Sequence, residues 1–290
     1  MRKEGTGVSL EADFRRNCEK HGWNRPQAHV LLAVSAGVDS MVMLALFLRL
    51  PVDQRPRITV LHVNHQLREQ SRTEEAFLKA WCAQRQVPVV TATWPLNQHP
   101  QNGVEAAART FRYQFFAKQL AAQHADWVAT AHQADEQAET ILFKLIRGGQ
   151  LDQLTGMAPS RPFHDGQLIR PLLPFRKQTL RTYAQQHRIT WYEDATNHEL
   201  VASRNRLRLQ ILPALRRENP QIDQHLLAYA EQLGTVLRVT DQTVTDRLAQ
   251  VVRQSQPLVV DTARFLEQSV DLQRLLLTRL IKTAAQALTT

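Results

Sequence analysis

Six residues with the chemistry of a phosphate site, Ser35-Ala-Gly-Val-Asp-Ser40, directly follow a largely apolar run of strand length, His29–Val34. If a helix begins here, its unpaired N–H groups and the positive end of its dipole favour phosphate. Gly37 lets the backbone approach a phosphate, and the two serines add hydroxyl donors. The Gly-Lys-Ser ending of a Walker A loop is absent. The structural alternative is a capped helix with Asp39 in a favourable first turn.

Carboxylates form a second group. Asp135 and Glu139 are four residues apart and share one face of a predicted helix, and His132 stands just before it. Carboxylates that face a phosphate loop suit Mg²⁺, because hard oxygen ligands and substrate phosphates share its coordination shell. We therefore predict Asp39 and Asp135 as magnesium ligands. A transition-metal site formed by His132, Asp135 and Glu139 is the less favoured alternative.

Polar residues also follow the second predicted strand, in the segment His62-Val-Asn-His-Gln-Leu-Arg68. Within it, His62, Asn64 and Arg68 are candidates to contact a nucleotide or an amino-acid substrate. A polar strand end followed by a turn explains the same residues about as well.

Two groups of arginines carry positive charge. Arg109 and Arg112 are three apart on one helical face, which suits a clamp on phosphate or carboxylate, although such a pair is more often a solvated face. Arg204, Arg206 and Arg208 form a dense basic stretch with Arg216 and Arg217 just beyond. The net charge of +9 favours contact of this stretch with a polyanion such as RNA over a solvated face.

Short apolar strands alternate with helices over the first half of the chain. The predicted strands are 29–34, 58–63, 88–93 and 126–131, and the predicted helices are 9–22, 41–50, 73–86, 104–123 and 133–147. This alternation predicts an α/β fold with a doubly wound parallel sheet covered on both faces. Such sheets bind ligands beyond the carboxyl ends of their strands. The segments Ser35–Ser40, His62–Arg68 and His132–Glu139 are therefore expected to converge.

The pattern changes after about residue 150. Residues 161–200 are rich in Pro, Arg and turn signals, with a short strand expected near Thr190 and Trp191. A basic helix is expected over 203–212, and Pro213 should end or kink it. From Asn219 onwards the pattern is nearly all helical. We predict an α/β domain at 1–218 and a smaller all-helical domain at 219–290.

Composition narrows the class of protein. Only two cysteines are present, Cys18 and Cys82, and no Cys-x-x-Cys motif exists to hold zinc or a cluster. Both cysteines fall on apolar helix faces, so we expect them in the core. The N-terminus lacks an apolar signal segment, and Met41 to Leu48 is the longest apolar run, which is too short to span a bilayer. We expect a cytoplasmic protein with no membrane contact.

Ser-x-Gly-x-Asp-Ser after an apolar strand resembles the pyrophosphate loop of the N-type ATP pyrophosphatases, whose fold is that of the adenine nucleotide α-hydrolases. Ala36 replaces the usual first glycine, so we expect residue 36 to avoid positive φ. The later motifs occur in the order found in the tRNA(Ile)-lysidine synthetase family, which the chain resembles over about residues 29–216. These motifs are His62–Arg68, Glu105–Arg109 with Arg112-Tyr113, Thr130–Thr140, Arg170–Leu173, Trp191–Asn197 and Arg204–Arg208.

The resemblance implies a ligase that forms a carbon–nitrogen bond, with a catalytic domain at 1–218 and a tRNA-binding domain at 219–290. ATP and Mg²⁺ adenylate the 2-carbonyl oxygen of the wobble cytidine in a tRNA(Ile) with a CAU anticodon, and free L-lysine then displaces AMP to form lysidine. It implies catalytic roles for Asp135, Glu139, Arg109 and His132. It implies nucleotide contacts from Ser35, Ala36, Gly37, Val38, Asp39, Ser40, His62 and Asn64. Contacts with tRNA or lysine are implied for Arg68, Glu105, Arg112, Arg204, Asn205 and Arg208.

Two other functions compete with this one. A tRNA thiolase of the same superfamily is the closest rival, but its chemistry needs catalytic cysteines or a cluster that two core cysteines do not supply. A basic RNA-binding module without catalysis is the other. A homodimer is left open. The helical pattern from Leu275 to Leu288 has no closing element, so we expect the C-terminal region to be truncated.

Overall fold

A central six-stranded sheet organises the first part of the chain. The structure, a computed structural model, describes residues 9–66, 70–193, 206–255 and 258–287. The strands of the sheet are β1 (His29–Ala33), β2 (Arg57–Asn64), β3 (Val89–Thr93), β4 (Trp127–Ala129), β5 (Ser160–Phe163) and β6 (Gly166–Ile169). Their order is β3-β2-β1-β4-β6-β5, and all neighbours are parallel except β5 and β6. The predicted fold class, a mostly parallel α/β sheet followed by a helical region, is confirmed.

Helices flank the sheet. They are α1 (Leu10–His21), α2 (Val38–Leu48), α3 (Gln70–Ala83), α4 (Val104–Ala122), α5 (Ala134–Ile146) and α6 (Lys177–Gln186). Strand β1 shows why both faces are covered. Val30 and Leu32 are buried in one apolar cluster with side chains of α1, α2 and α6, whereas Leu31 packs in a second cluster with Phe116 and Leu120 of α4. Successive strand residues point to opposite faces, so a strand buried on both faces must be apolar throughout.

The sheet order creates a switch point. From β1 the chain adds β2 and then β3 on one side, and it later returns to place β4 on the other side of β1. The loops that leave β1 and β4 therefore diverge, and a crevice opens between them at the carboxyl ends of the strands. This is where the sequence predicted the polar segments to converge.

The hairpin of β5 and β6 was not predicted from the sequence. It adds two short strands beside β4, and β6 pairs in parallel with β4 from Trp127↔Gln167 to Ala129↔Ile169. The strand expected near Thr190 and Trp191 was wrong, since both residues lie outside any strand. Tyr192 instead donates its N–H to the Ala36 carbonyl at 3.0 Å, so this segment contacts the phosphate loop rather than a strand edge.

The remaining helices are α7 (Leu212–Glu218), α8 (Ile222–Val251), α9 (Thr262–Leu266) and α10 (Val270–Ala287), and a π-helical turn precedes α7 at Leu207–Ile211. Pro213 stands where the helix type changes, as expected of a proline that ends or kinks a helix. The π-helical turn ends at Ile211, and Pro213 lies in the first turn of α7, where its missing N–H is tolerated. A short antiparallel hairpin, Val252–Ser255 with Leu258–Val260, interrupts the helical region.

The chain divides into two compact units. One contains Met1–Arg147 with Gly156–Leu227, and the other contains Gly148–Thr155 with Ala228–Thr290. The predicted boundary lay nine residues earlier than 227, at residue 218. Within the described ranges, no helix is both long and apolar enough to cross a membrane.

Candidate nucleotide and amine site

The phosphate loop joins β1 to α2 by a turn that its own serines close. Gly37 precedes the first residue of α2 as its N-cap. The Ser40 hydroxyl donates to the Gly37 carbonyl at 2.9 Å and lies 3.3 Å from the Ser35 hydroxyl. Ser40 Oγ also accepts the Ser35 N–H at 3.2 Å. The loop is thus held in shape from within, and the N-terminus of α2 is left to face a ligand.

Ala36 does not avoid positive φ, so the expectation for this residue was wrong. Its φ is 65°, which is the left-handed region where an L-residue is strained. Its side chain is fully buried, and its carbonyl accepts the Tyr192 N–H. The turn from β1 into α2 requires this backbone conformation at the second loop position. Packing of the methyl group and the Tyr192 bond hold the alanine in it.

The predicted convergence of the three polar segments is observed. A cavity of about 390 Å³ opens at the carboxyl ends of β1, β2 and β4. Its polar wall comprises Ser35, Asp39, Ser40, His65, Arg112, Thr130, His132, Glu136, Lys177, Tyr192, Glu193 and Arg208. The phosphate loop, the end of β2, the face of α4 and the start of α5 therefore meet around one space.

Three carboxylates line this cavity, those of Asp39, Glu136 and Glu193, and the first two have raised pKa values. Burial, together with the neighbouring charges of Asp39 and Glu139, raises the pKa of Glu136 to about 7. Burial also raises the pKa of Asp39, against the lowering effect of Lys177. Lys177 Nζ lies 4.0 Å from one Asp39 oxygen, while the other, Oδ1, is buried without a hydrogen-bond partner among the described residues. The charge of Asp39 raises the pKa of Glu136, and two like charges this close suit a site that a cation neutralises.

Asp135, the carboxylate that the sequence singled out, has other partners. One oxygen accepts the Lys177 N–H at 2.8 Å, and the other accepts from Arg216 at 3.0 Å. It is not among the residues that line the cavity, whereas Glu136 is. Glu139 is buried one turn further along α5, where its charge is felt by Glu136. The structure thus brings Glu136 to the position expected of Asp135.

Cationic side chains face the acidic ones across the same space. Arg112 from α4, Lys177 from the start of α6 and Arg208 all line the cavity. Burial lowers the pKa of Arg112, which nevertheless remains a cation at neutral pH. The pKa of His65 is lowered to about 4 by burial and by the charge of Arg112, so this ring is neutral. Positive charge for phosphate therefore comes from the arginines and Lys177.

His62 and Asn64 lie behind the cavity wall rather than in it. The His62 ring donates from Nδ1 to the Val34 carbonyl at 2.8 Å, and burial lowers its pKa. The Asn64 amide donates to Glu75 at 2.8 Å, and its oxygen accepts the Gln66 N–H at 3.0 Å. Both side chains are buried. In this arrangement they fix the strand end and its turn.

The other predicted site residues are distributed as follows. His132 lines the cavity, and its Nδ1 lies 2.8 Å from the Thr130 hydroxyl. Glu105 and Arg109 are exposed on α4, and Arg109 lines a second cavity. Arg68, Arg204 and Asn205 lie outside the described residues.

Sequence reasoning missed Glu136 and Lys177. Glu136 carries a signal in hindsight, because it stands beside Asp135 and only the rotation of α5 decides which of the two faces the loop. Lys177 carries none, since it is one of several basic residues near the start of α6. It reaches the site because Leu180, Tyr183 and Ala184 pack α6 into the same apolar cluster as α2.

The donor set fits Mg²⁺ better than a transition metal. Asp39 Oδ1 is unsatisfied and Glu136 lies across the same cavity, so oxygen donors are present where substrate phosphates would complete the shell. Over the described ranges, no group of three or more His, Cys, Asp or Glu side chains is arranged to hold a metal by itself.

Comparison with known proteins places this geometry in a family. The sequence signature of the PP-loop domain matches residues 10–215. The chain is 49% identical over 236 residues to a tRNA(Ile)-lysidine synthase of Lactiplantibacillus plantarum, and 38% identical over 239 residues to one of Enterococcus faecalis. These matches cover 81% and 82% of this chain, which spans about half of each relative, 53% and 52%.

Among solved structures, a U34-tRNA thiolase of Methanococcus maripaludis, determined with its [4Fe-4S] cluster, superposes with a TM-score of 0.62 at 16% identity. That match covers 76% of this chain and 77% of the thiolase, and at this identity it shows a shared fold. The sequence signature extends over most of the chain and includes the phosphate loop, the cavity wall and α6. The chain therefore belongs to the PP-loop family.

Proposed function

We propose that this chain carries the catalytic centre of a tRNA(Ile)-lysidine synthetase. It would use ATP to activate the wobble cytidine of a tRNA(Ile) with a CAU anticodon and then join free L-lysine to that base. The observation that carries the proposal is the cavity in which a phosphate loop, three cations and three carboxylates face one another. The identity of 49% to a named synthase supports this substrate over others of the family.

The loop end of the cavity suits the phosphates of ATP. The N–H groups at the start of α2 and the hydroxyls of Ser35 and Ser40 offer donors, and Arg112 and Lys177 offer charge. Asp39, whose Oδ1 lies at the loop without a hydrogen-bond partner among the described residues, would hold Mg²⁺ together with the phosphates, and the chemistry that the bound ion supplies is neutralisation of charge on the departing pyrophosphate. The chain's own contribution at this step is to place the α-phosphate against the base.

The wobble cytidine would react twice, first through its 2-carbonyl oxygen as a nucleophile and then at carbon 2 as an electrophile. Its 2-carbonyl oxygen attacks the α-phosphorus, the bond to pyrophosphate breaks, and the adenylated ring becomes electron-poor at carbon 2. The lysine ε-amine then attacks carbon 2, the bond to the AMP oxygen breaks, and the amine loses a proton. A base buried in an anticodon stack cannot reach such a cavity, so the wobble nucleotide must be splayed out.

Glu136 is the group that we assign to the amine. A carboxylate with a pKa near 7 is half ionised at neutral pH, so it both attracts an ammonium ion and accepts its proton. Asp135 is less suited to this role because Arg216 and the Lys177 N–H already occupy its two oxygens. We therefore assign Asp135 to anchoring the start of α5. Glu139 tunes Glu136 through its charge.

Incorporation of labelled lysine into a tRNA(Ile) transcript tests the function. We expect incorporation that requires ATP and the CAU anticodon, with one AMP released per lysine. Asp39→Asn should abolish AMP release, because it removes the charge at the loop. A wild-type chain that releases AMP and transfers sulfur instead of lysine would replace this function with the thiolase one.

A further inference from the structure

A second cavity lies on the outer face of α4. Its volume is about 440 Å³, and it is lined by Arg109, Thr110, Tyr113, Gln114, Ala117, Phe163 and His164. The α4 members are one, four, five and eight residues after Arg109, so they share one helical face. The other two come from the end of β5 and the turn that follows it. Nothing in the proposed reaction uses this cavity.

Tyr113 connects the second cavity to the catalytic one, because its side chain lines both. It also packs edge-on against Phe163, with the ring centroids 5.9 Å apart. If one unit of a polymeric substrate fills the catalytic cavity, the next unit of that polymer therefore lies beside Tyr113. This continuity distinguishes the cavity from an isolated surface hollow.

The charge around Tyr113 is positive. The Arg109 guanidinium lies 4.7 Å from the centroid of its ring, and that of Arg161 lies 5.9 Å away and 5.4 Å from the Phe163 ring. A third arginine, Arg170 at the end of β6, is buried, and burial lowers its pKa, as do the charges of Arg161 and Arg109. No carboxylate is among the residues that line the cavity in the described part of the chain.

We propose that the Arg109–Tyr113–Phe163 cavity binds the nucleotide adjacent to the reacting base of the RNA. This rests on the proposed function, since it concerns how that substrate is held. Aromatic rings and guanidinium planes are the surfaces on which unpaired bases stack, and guanidinium groups also pair with the phosphate between two nucleotides. The binding energy of the neighbour would hold the wobble base out of the anticodon stack.

An anticodon stem-loop with 2-aminopurine next to the reacting cytidine tests this. We expect its fluorescence to be quenched by the wild-type chain and to stay unquenched with Arg109→Gln/Arg161→Gln, which keeps Tyr113 and the fold. The dissociation constant of the RNA should rise about tenfold in that variant, while the KM for ATP stays within about twofold. An abasic nucleotide at the same place should weaken wild-type binding about as much and should leave binding by the variant unchanged.

The matched control is Arg15→Gln/Arg85→Gln, which removes the same charge from exposed sites. Arg85 lies 3.8 Å from the Trp81 ring centroid, so it reproduces the arginine–aromatic geometry away from both cavities. If the control weakens RNA binding equally, the effect is one of net charge and the inference is overturned. It is also overturned if the test variant keeps its RNA affinity and loses turnover at saturating RNA, because Arg109 would then act on the reacting atoms.

Quenching and affinity are read without turnover. A wild-type chain that binds and quenches the RNA but transfers no lysine would contradict the proposed function and support the nucleotide site. A wild-type chain that transfers lysine without quenching the fluorescence would support the proposed function and contradict the nucleotide site.

Discussion

At the scale of single residues, the raised pKa that suits Glu136 to its proposed role also has a cost in stability. Its pKa is raised to about 7 in the fold, from a value near 4.5 in the unfolded chain. Between pH 4.5 and 7 the folded state therefore holds more protons than the unfolded one, and the free energy of unfolding falls as the pH rises through this window. Below pH 4.5 the carboxyl is neutral in both states and costs nothing.

Glu136→Gln should accordingly stabilise the chain at alkaline pH and inactivate it. We expect the free energy of unfolding to exceed the wild-type value by roughly 1–3 kcal/mol at pH 8 and to equal it below pH 4.5. Lysine transfer should fall at least ~10²-fold. Urea unfolding across the pH range measures the first effect, with the exposed Glu267→Gln as control. A pH-independent difference would mean that the Glu136 carboxyl is not the titrating group.

Ala36 raises a question of backbone strain at the same scale. A left-handed alanine costs roughly 1 kcal/mol, but its methyl group is buried and packed. Ala36→Gly should thus change the free energy of unfolding by less than about 1 kcal/mol, since relief of strain is offset by the entropy of glycine and the lost contact. Ala36→Val should destabilise by about 2–3 kcal/mol, because a branched side chain tolerates neither this φ nor the space. Equal stability of the two variants would refute the strained conformation.

At the scale of elements, Arg216 joins α7 to the start of α5 and to the first turn of α8, all within the first unit. From α7 it donates to Asp135 at the start of α5, at 3.0 Å, and to both oxygens of Asp223 in the first turn of α8, at 2.8 and 3.1 Å. Asp223 is buried and also accepts from Arg176 at 2.7 Å. A carboxylate removed from water to this degree requires its partners.

Arg216→Ala should therefore destabilise the chain by about 2–4 kcal/mol, and Arg217→Ala, the exposed next residue, by less than about 0.5 kcal/mol. Because Arg216 positions the start of α5, we also expect the apparent pKa of the rate to shift in Arg216→Lys, a variant that restores charge without the forked geometry. Thermal melts and pH–rate profiles measure the two effects. An Arg216→Ala variant with wild-type stability would show that the hydrogen bonds of Arg216 do not contribute to the free energy of unfolding.

At the scale of the whole molecule, the positions of the two cysteines distinguish the proposed lysine ligation from sulfur transfer. Cys18 and Cys82 are fully buried, as the sequence predicted, and burial raises the pKa of both thiols. Neither lines the catalytic cavity. A persulfide or cluster needs an accessible thiolate, which these positions deny.

Cys18→Ala/Cys82→Ala should keep lysine transfer within a few-fold of wild type and lose about 1–3 kcal/mol of stability from the two small cavities. A melting curve run beside the transfer assay distinguishes unfolding from lost chemistry. A double variant that is folded but inactive would overturn the ligase function and revive the thiolase one.

The sequence by itself determined the four strands β1 to β4, the phosphate loop and the place where polar segments meet, but not the β5–β6 hairpin. Alternating apolar strands and helices left one solution, a parallel sheet covered on both faces, and in such a sheet every strand's carboxyl end lies at one edge. Each of these polar segments follows a strand of the sheet. Ser35–Ser40, His65 and His132 therefore share one cavity.

The tertiary structure alone decided which side chains face that cavity. On α5, buried Ala134, Ala138 and Ile141 set the rotation of the helix, and that rotation turns Glu136 toward the loop and Asp135 toward Arg216. Successive residues of an α-helix are rotated by about 100° around its axis. A spacing of four residues shows that two side chains share a face of the helix, but it does not show where that face points. Lys177 and the left-handed Ala36 likewise follow from contacts between segments far apart in sequence, and no local pattern encodes them.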